Sequence, residues 1–274
     1  GRLENAIVTD LEVEYKNSLI LTMKNTATGY LGGLAGIARY GKIDRVVVTN
    51  ANMTLVGAGS VSYLGGLIGQ ADNETITRCY VNTNIASEST VSEGTMRYVR
   101  TGGLVGYVKA QNTVIENNIV FVDMTDMTDK TTDTAVSGDE ITIGLLFGNV
   151  VTVDYLSSIE FNYCVPVSKS TDNATSTKSV EYNIIGKGAI SNTNNKALGT
   201  EAYTDLKWNA DYAWGAWDSV NNTYNYSNIG VMSINFKNYK LYAYKLNAEG
   251  QAEVNGIIIN TASSYVSYEN SIGN

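Results

Sequence analysis

Apolar and polar positions alternate along this chain in short blocks, and four of the blocks share their length and their first residue. They are Ile43–Val48, Ile76–Val81, Ile115–Val120 and Ile159–Cys164. Each is rich in β-branched or aromatic side chains and follows a period near two, which is the pattern of a β-strand. Ile7-Val8 looks like the end of an earlier block. The pattern therefore predicts a series of similar short strands.

A glycine-rich motif precedes each block and repeats along the chain. Gly32–Gly36, Gly65–Gly69 and Gly102–Gly106 read Gly-Gly-Leu-x-Gly, while Gly144–Gly148 and Tyr182–Gly186 match in part. Successive copies begin roughly 33 to 42 residues apart, a period typical of repeat architectures. The motif and the block keep their lengths while the polar stretches between them vary, as expected for stacked coils with variable loops.

The motif makes physical sense in a coiled β-structure. Paired glycines permit a positive φ or a close backbone approach at a bend. The leucine at the third position is expected to point inward and to stack on its equivalent in the next coil. One coil cannot bury its apolar face alone, so coils must stack. We therefore predict an all-β fold: a right-handed parallel β-helix (β-solenoid) of about five coils over residues 1–199, with the handedness taken by analogy.

Composition narrows the classes of function. The net charge is −8, and the chain contains no histidine. Nucleic-acid binding needs a basic face, which scattered Lys and Arg do not provide. Without histidine there is no Ser-His or Cys-His catalytic pair, and the commonest transition-metal ligand is missing. No run of about 18 apolar residues occurs, so no membrane insertion is predicted. We predict no catalytic residues, no cofactor and no metal.

The two cysteines are predicted to be free thiols. The block alignment places Cys79 and Cys164 two coils apart and in different columns. Two coils correspond to roughly 10 Å, which is beyond the reach of a disulfide. We expect both side chains to pack as small apolar groups.

The repeat resembles the GLUG-motif repeats of bacterial surface proteins, including adhesin-like proteins of gut Bacteroidetes and some secreted proteases. The three intact copies match the Gly-Gly-Leu-hydrophobic-Gly core, and the resemblance covers roughly residues 1–200. It implies an extracellular or surface-anchored β-helical module with a role in attachment. It brings no catalytic residues, because the motif is structural.

The sequence changes character after residue 199, and residues 200–274 form a second predicted unit. Its most unusual stretch contains Trp208, Tyr212, Trp214 and Trp217. One interpretation is an aromatic-rich cap, since the end of a solenoid exposes strand edges and an apolar column. A second is a carbohydrate platform, because planar aromatic rings stack on the apolar faces of sugars. A protein-interaction face or an incomplete subdomain are further alternatives.

Two other features of the sequence bear on function. Ile229–Tyr244 and Val254–Ile259 predict the two strands of a hairpin joined by a loop that contains Gly250. Acidic residues follow the first isoleucine in three of the four blocks, at Asp44, Glu116 and Glu160. Clustered acids serve some β-helix lyases and hydrolases, but here we expect a column that faces solvent.

These observations favour a non-catalytic adhesin-like binding module, located extracellularly or on the cell surface. Attachment to the outer membrane through a removed N-terminal segment would be one route of anchoring. The expected partner is a host or bacterial surface glycan or protein, with Trp208, Tyr212, Trp214 and Trp217 as candidate ligand-binding residues. The alternatives are a carbohydrate-active β-helix enzyme and a structural spacer of a larger surface protein. The polar loops near 86–98 and 123–140 are further places where a ligand could bind.

Overall fold

The structure is a computed structural model. It describes residues 1–23, 28–57, 61–88, 98–109, 111–124, 127–128, 140–151, 157–166, 183–188 and 195–197, together with residues 212–218, 223–225, 239–245, 248, 252–254 and 257–259. Every regular element in these ranges is a β-strand, and the strands before residue 200 all pair in parallel. The predicted all-β, parallel-stranded solenoid is therefore confirmed.

Each turn of the solenoid has up to four strand segments, which pair with the same segments of the neighbouring turns. The first segments are β5 (Thr28–Gly32), β9 (Val61–Gly65), β13 (Tyr98–Gly102) and the start of β18 (Glu140–Val150). The second segments are β1 (Arg2–Glu4), β6 (Ala35–Arg39), β10 (Ile68–Asp72), β14 (Val105–Lys109), the end of β18 and β21 (Asn183–Lys187). All of these segments belong to one sheet, because β18 pairs with both series.

The third and fourth segments form two further sheets. The third segments are β2 (Ile7–Thr9), β7 (Lys42–Asp44), β11 (Thr75–Thr77), β15 (Val114–Glu116) and β19 (Ser158–Glu160). The fourth segments are β3 (Glu12–Glu14), β8 (Val47–Gly57), β12 (Tyr80–Glu88), β16 (Ile119–Asp123), β20 (Tyr163–Pro166) and β22 (Lys196–Ala197), with β4 (Leu19–Met23) beside β8 and β17 (Met127–Thr128) beside β12. The described strands make a β-solenoid of about 3 turns.

The glycines of the motif lie where backbones approach too closely for a side chain. A Cβ on Gly66 would lie 2.0 Å from the carbonyl oxygen of Gly103 in the next turn. A Cβ on Gly69 would lie 2.6 Å from the oxygen of Gly36 and 2.9 Å from that of Tyr63. Among the described glycines, only Gly188 has a positive φ. Of the two roles predicted for the motif, close approach is therefore correct.

The corners of the turns are formed by residues other than glycine. Between the second and third segments the chain passes through one left-handed residue, and it does so again between the third and fourth. At the first of these corners the left-handed residues are Asn5, Tyr40, Asn73 and Asn112. At the second they are Asp10, Arg45, Arg78, Asn117 and Phe161. Asn and Asp tolerate this conformation because their short polar side chains bond locally, whereas tyrosine, arginine and phenylalanine rarely adopt it.

The interior of the solenoid is a continuous apolar column. Leu67 and Leu104, the third residues of two motif copies, are completely buried in this core. Their backbones form a ladder, in which the Leu67 amide donates to Leu104 at 3.0 Å and the Leu34 amide donates to Leu67 at 2.9 Å. The predicted stacking of these leucines is confirmed. Stacking removes both faces of each leucine from water, which drives the assembly of the turns.

A ladder of buried asparagines lies at the corner before the fourth segments. Asn118, Asn162 and Asn195 occupy equivalent positions and are at most 2% exposed. Asn118 Nδ2 donates to Asn162 Oδ1 at 2.8 Å, and Asn162 Nδ2 donates to Asn195 Oδ1 at 2.9 Å. On the preceding turn, the backbone amide of Cys79 donates to Asn118 Oδ1 at 2.8 Å. The ladder therefore satisfies backbone groups that the corner would otherwise bury unpaired.

The C-terminal strands pair antiparallel. The strand β23 (Tyr212–Asp218) lies between β24 (Thr223–Asn225) and β25 (Tyr239–Lys245), and β26 (Ala252–Val254) pairs with β27 (Ile257–Ile259). The predicted hairpin between Ile229–Tyr244 and Val254–Ile259 is wrong, since β25 pairs with β23 and the second stretch is itself a hairpin. The reason is local: Asn255-Gly256 between β26 and β27 is the dipeptide that most favours a two-residue turn.

Two residues on the outer face of the sheet of fourth segments are buried as completely as the core. Val81 and Val120 point into the core, so the preceding residues, Tyr80 and Ile119, point outward. Even so, Tyr80 is 0% and Ile119 1% exposed. The strand β25 lies close to β8 and β12 of this sheet.

Candidate binding site: the tyrosine–arginine flank

The aromatic residues chosen from the sequence fall partly outside the described residues. Trp208 lies outside them altogether. Tyr212, Trp214 and Trp217 lie on the backbone of β23, where Trp214 pairs with Ala243 and Trp217 with Lys240, but their side chains are outside the described part. Most of the two polar loops is also outside it. Their role in binding stays a prediction.

The structure brings a different group of aromatic side chains together on the solenoid. Tyr30 and Tyr63 are in register on β5 and β9, and their ring centroids are 5.2 Å apart. Tyr107 of β14 stacks on Tyr63 with centroids 5.0 Å apart. All three rings are half-buried. Tyr30 and Tyr63 repeat one register position on successive turns, whereas Tyr107 belongs to the column of second segments and meets Tyr63 from beside it.

Arg100 completes this group. On β13 it is in register with Tyr63 of the neighbouring strand β9. Its guanidinium carbon lies 4.6 Å from the ring centroid of Tyr107, 5.4 Å from that of Tyr63 and 5.7 Å from that of Tyr98. These distances are within the range of cation–π attraction. Arg100 Nη1 also donates a hydrogen bond to Tyr63 Oη at 3.2 Å. We call Tyr30, Tyr63, Tyr98, Arg100 and Tyr107 the tyrosine–arginine flank.

The electrostatics of the flank follow from partial burial beside a cation. Burial raises the pKa of the Tyr63 phenol, and the positive charge of Arg100 opposes that rise without cancelling it. The phenol therefore stays protonated at neutral pH and can both donate and accept hydrogen bonds. The flank thus offers aromatic edges, hydroxyl groups and a fixed positive charge.

Sequence reasoning missed this flank because its residues come from different motif copies. Tyr30 and Tyr63 could have been found, since each stands two residues before a Gly-Gly pair. Tyr107 follows the motif, and only the bend at Gly103-Leu104 brings its strand beside β13 and so brings its ring to Arg100.

A second surface feature is a shallow groove on the outer side of the fourth segments. It has a volume of about 220 Å³ and is lined mainly by Asn52, Thr54, Asn84, Ala86 and Asp123. Asn52, Asn84 and Asp123 are in register on β8, β12 and β16. The groove is polar and open, so it lacks the enclosed apolar walls of a typical small-molecule site.

The column of acidic residues differs from the expectation. Asp44 is 1% exposed, so the prediction that it faces solvent is wrong. Arg78 Nη2 lies 2.6 Å and Arg45 Nη1 2.7 Å from its carboxylate, and Thr77 Oγ1 donates to it at 2.9 Å. Burial alone would raise the pKa of Asp44, but Arg78, Thr77 and Arg45 outweigh it, so the pKa is lowered. The carboxylate therefore bridges the two corner arginines, of which Arg45 also pairs with Asp10 at 2.6 Å.

The two glutamates of the column remain partly accessible. Glu116 and Glu160 are in register on β15 and β19. Ser158 donates a hydrogen bond to Glu116, and its hydroxyl is 3.4 Å from Glu160 Oε1. Two neighbouring carboxylates that share a hydroxyl are the arrangement in the described part closest to a hydrolytic site.

The buried ionisable groups also include Cys79, Cys164 and Glu74. The predicted free state of Cys79 and Cys164 is confirmed, and burial raises the pKa of both thiols, that of Cys79 to about 12. Glu74 is 2% exposed, and burial raises its pKa to about 7, against the opposing effect of a hydrogen bond from the Gly41 amide at 3.0 Å. Inert thiols and one isolated carboxyl do not form a nucleophilic site.

Metal-binding clusters and membrane-spanning helices are both absent from the described part of the chain. It holds no group of three or more His, Cys, Asp or Glu side chains arranged to bind a metal ion. It also holds no helix long and apolar enough to cross a membrane. Comparison with protein-family models, with characterised proteins and with solved structures gives no match. The resemblance to GLUG-motif proteins therefore stays a prediction.

Proposed function

We propose that this chain is a non-catalytic bacterial cell-surface or secreted adhesin-like binding module. The proposed architecture is a right-handed solenoid of about five coils over residues 1–199, followed by an aromatic-rich cap or small subdomain at 200–274. The proposed partner is a host or bacterial surface glycan or protein.

The observation that supports this proposal is the tyrosine–arginine flank on a rigid solenoid. Each of its side chains is carried by a strand that is hydrogen-bonded to its neighbours, so the spacing of the rings is fixed by the backbone. Tyrosine provides large contact area at a low cost in conformational entropy, and arginine anchors polar partners. A preformed surface of this kind binds without paying to order its own residues.

The test is a glycan-array and extracellular-matrix binding screen with the whole chain. We would compare it with a Tyr107→Ala/Arg100→Gln variant, a Trp208→Ala/Trp214→Ala/Trp217→Ala variant and a Lys42→Gln control, each first checked for folding by circular dichroism. Lys42 is a cation on β7, away from the flank. Binding that the flank variant loses and the other two keep supports the proposal. Binding lost only in the tryptophan variant moves the site to the C-terminal unit.

Glu116 and Glu160 support the alternative of a carbohydrate-active enzyme. If they act as an acid and base pair, Glu116→Gln would abolish release of reducing ends from a polysaccharide panel while leaving binding intact. An absence of turnover by the wild-type chain across that panel would remove this alternative. A chain that binds nothing in either screen would favour the third candidate, a structural spacer.

A further inference from the structure

The groove on the outer side of the fourth segments is built on one column of registered polar side chains. Asn52, Asn84 and Asp123 follow one another on β8, β12 and β16. Met53 and Ile85, the next residues on two of these strands, belong to the buried core, so the side chains of the column point outward. Both asparagines are exposed. The groove therefore presents two amides and a carboxylate at intervals of one strand spacing, about 4.8 Å.

The strands that carry the groove are poorly suited to binding a peptide. β8, β12 and β16 are interior strands of their sheet, each with a paired strand on both sides. A peptide binds a sheet by adding to a free edge, or it inserts anchoring side chains into apolar pockets. The groove is open and polar along the described residues that line it. Its capacity for binding therefore lies in its side chains.

The charge of the lining favours a neutral ligand. The described residues that line the groove include one carboxylate, Asp123, and neither lysine nor arginine. The chain as a whole carries a net charge of −8. An anionic polymer would be repelled here, and the two amides offer no charge to a cationic one.

The side chains of the groove match the groups of a sugar. An amide has two donors and an acceptor, and a carboxylate accepts through both oxygens. Neighbouring hydroxyls of one sugar ring both donate and accept, so they can bond to the two ends of one amide. Ile20 and Ala86 add apolar surface beside the column, because both are in register with Thr54 and Ile20 is 65% exposed. Such surface suits the apolar C–H face of a sugar ring.

The column favours a chain of sugars over a single one. The Cα atoms of Asn52 and Asp123, at its two ends, are separated by two strand spacings, roughly 10 Å. One sugar unit of an extended chain is comparable in length to one strand spacing, so successive units can meet successive turns. Resting on the proposed function, we infer that the groove binds an extended neutral polysaccharide that runs along the solenoid axis, with Asn84 bonding to hydroxyls of the central unit.

Calorimetry of the full chain with neutral oligosaccharides tests the inference. The probes are cello-, manno- and xylo-oligosaccharides of increasing length. We expect at least one series to bind, with an affinity that rises up to about three units, one for each turn, and then levels off. Salt between about 0.05 and 0.5 M should change the affinity less than about twofold, because the contacts are neutral. Glucose and mannose oligomers oxidised to their uronic acids should bind more weakly.

Variants locate the site. Asn84→Ala removes the central amide, which is exposed on β12, and should lower the affinity about tenfold while the chain stays folded. Asn84→Asp keeps acceptors, loses both donors and places a second carboxylate beside Asp123, so it should weaken binding at least as much. Gln111→Ala removes an exposed amide at the corner before β15, away from the groove, and should have no effect.

The outcomes separate this inference from the proposed function. Glycan binding that is unchanged in Asn84→Ala but lost in the Tyr107→Ala/Arg100→Gln variant would place the site at the tyrosine–arginine flank and overturn the inference alone. Stronger binding of the oxidised oligomers, or a single sugar binding as tightly as the longest oligomer, would overturn it as well. Absence of binding to every neutral oligosaccharide, even with a protein captured in the matrix screen, has the same consequence. Only an empty array and matrix screen would overturn the proposed function too.

Discussion

Replacing Asn162 by alanine should show how much the asparagine ladder contributes to stability. The side chain takes part in four hydrogen bonds. Its Oδ1 accepts from the backbone amide of Asn118 at 3.3 Å and from Asn118 Nδ2 at 2.8 Å, and its Nδ2 donates to the Ile115 carbonyl and to Asn195 Oδ1 at 2.8 and 2.9 Å. All of these groups are buried, so water cannot replace the lost partner.

At about 1 kcal/mol for each net hydrogen bond, the four bonds stabilise the fold by ~4 kcal/mol. Folding of the variant no longer costs the about 1 kcal/mol of conformational entropy that an ordered asparagine side chain loses. The free energy of unfolding should therefore fall by ~3 kcal/mol in Asn162→Ala. Urea denaturation followed by circular dichroism measures this value. Hydrogen exchange should also show faster exchange at the Asn118 amide, which loses its acceptor.

Two further variants sharpen this prediction. Asn162→Asp keeps an acceptor for Asn118 but places a carboxylate against the Ile115 carbonyl and Asn195 Oδ1, so it should be more destabilising than alanine at neutral pH. Asn84→Ala removes an exposed asparagine from β12 and should change stability by less than ~0.5 kcal/mol. If Asn162→Ala costs no more than Asn84→Ala, the ladder does not stabilise the fold and the reasoning is wrong.

Three other predictions follow from buried groups. Gly66→Ala would place a Cβ 2.0 Å from the Gly103 carbonyl oxygen, so it should destabilise the fold by ~3 kcal/mol or more; an unfolding temperature unchanged from wild type would contradict this. The Glu74 carboxyl has its ordinary pKa of 4.5 raised to about 7, so the folded chain keeps a proton that the unfolded chain releases. Stability should therefore fall by up to about 3 kcal/mol as pH rises through this window. Urea titrations across it should show this fall flattened in Glu74→Gln, and an identical pH profile in the variant would exclude Glu74 as the cause. Cys79 and Cys164 should react with a maleimide only as fast as the chain opens, since both thiols are buried and their pKa values are raised; rapid labelling of the folded protein would contradict their burial.

The sequence by itself determined the strands, their stacking and the state of the cysteines. Those features depend on local pattern: apolar alternation, repeated glycines, and the positions of Cys79 and Cys164 in the repeat. Leu67 and Leu104 stack as the motif predicted, because a repeat with constant core segments can bury its apolar face only against the next copy. The close backbone approach at Gly66 was also predicted from the sequence, since it depends only on the absence of a side chain at that position.

The tertiary structure alone decided which polar groups are buried and which side chains meet. Asp44, Glu116 and Glu160 occupy one column, yet Asp44 alone of the three is buried, and its carboxylate pairs with the adjacent Arg45 and with Arg78 from the next turn. Tyr107 and Arg100 meet because the bend between their strands folds β13 against β14. Burial and contact of this kind depend on side chains brought together from different repeats, and sequence periodicity carries no information about how far those side chains reach.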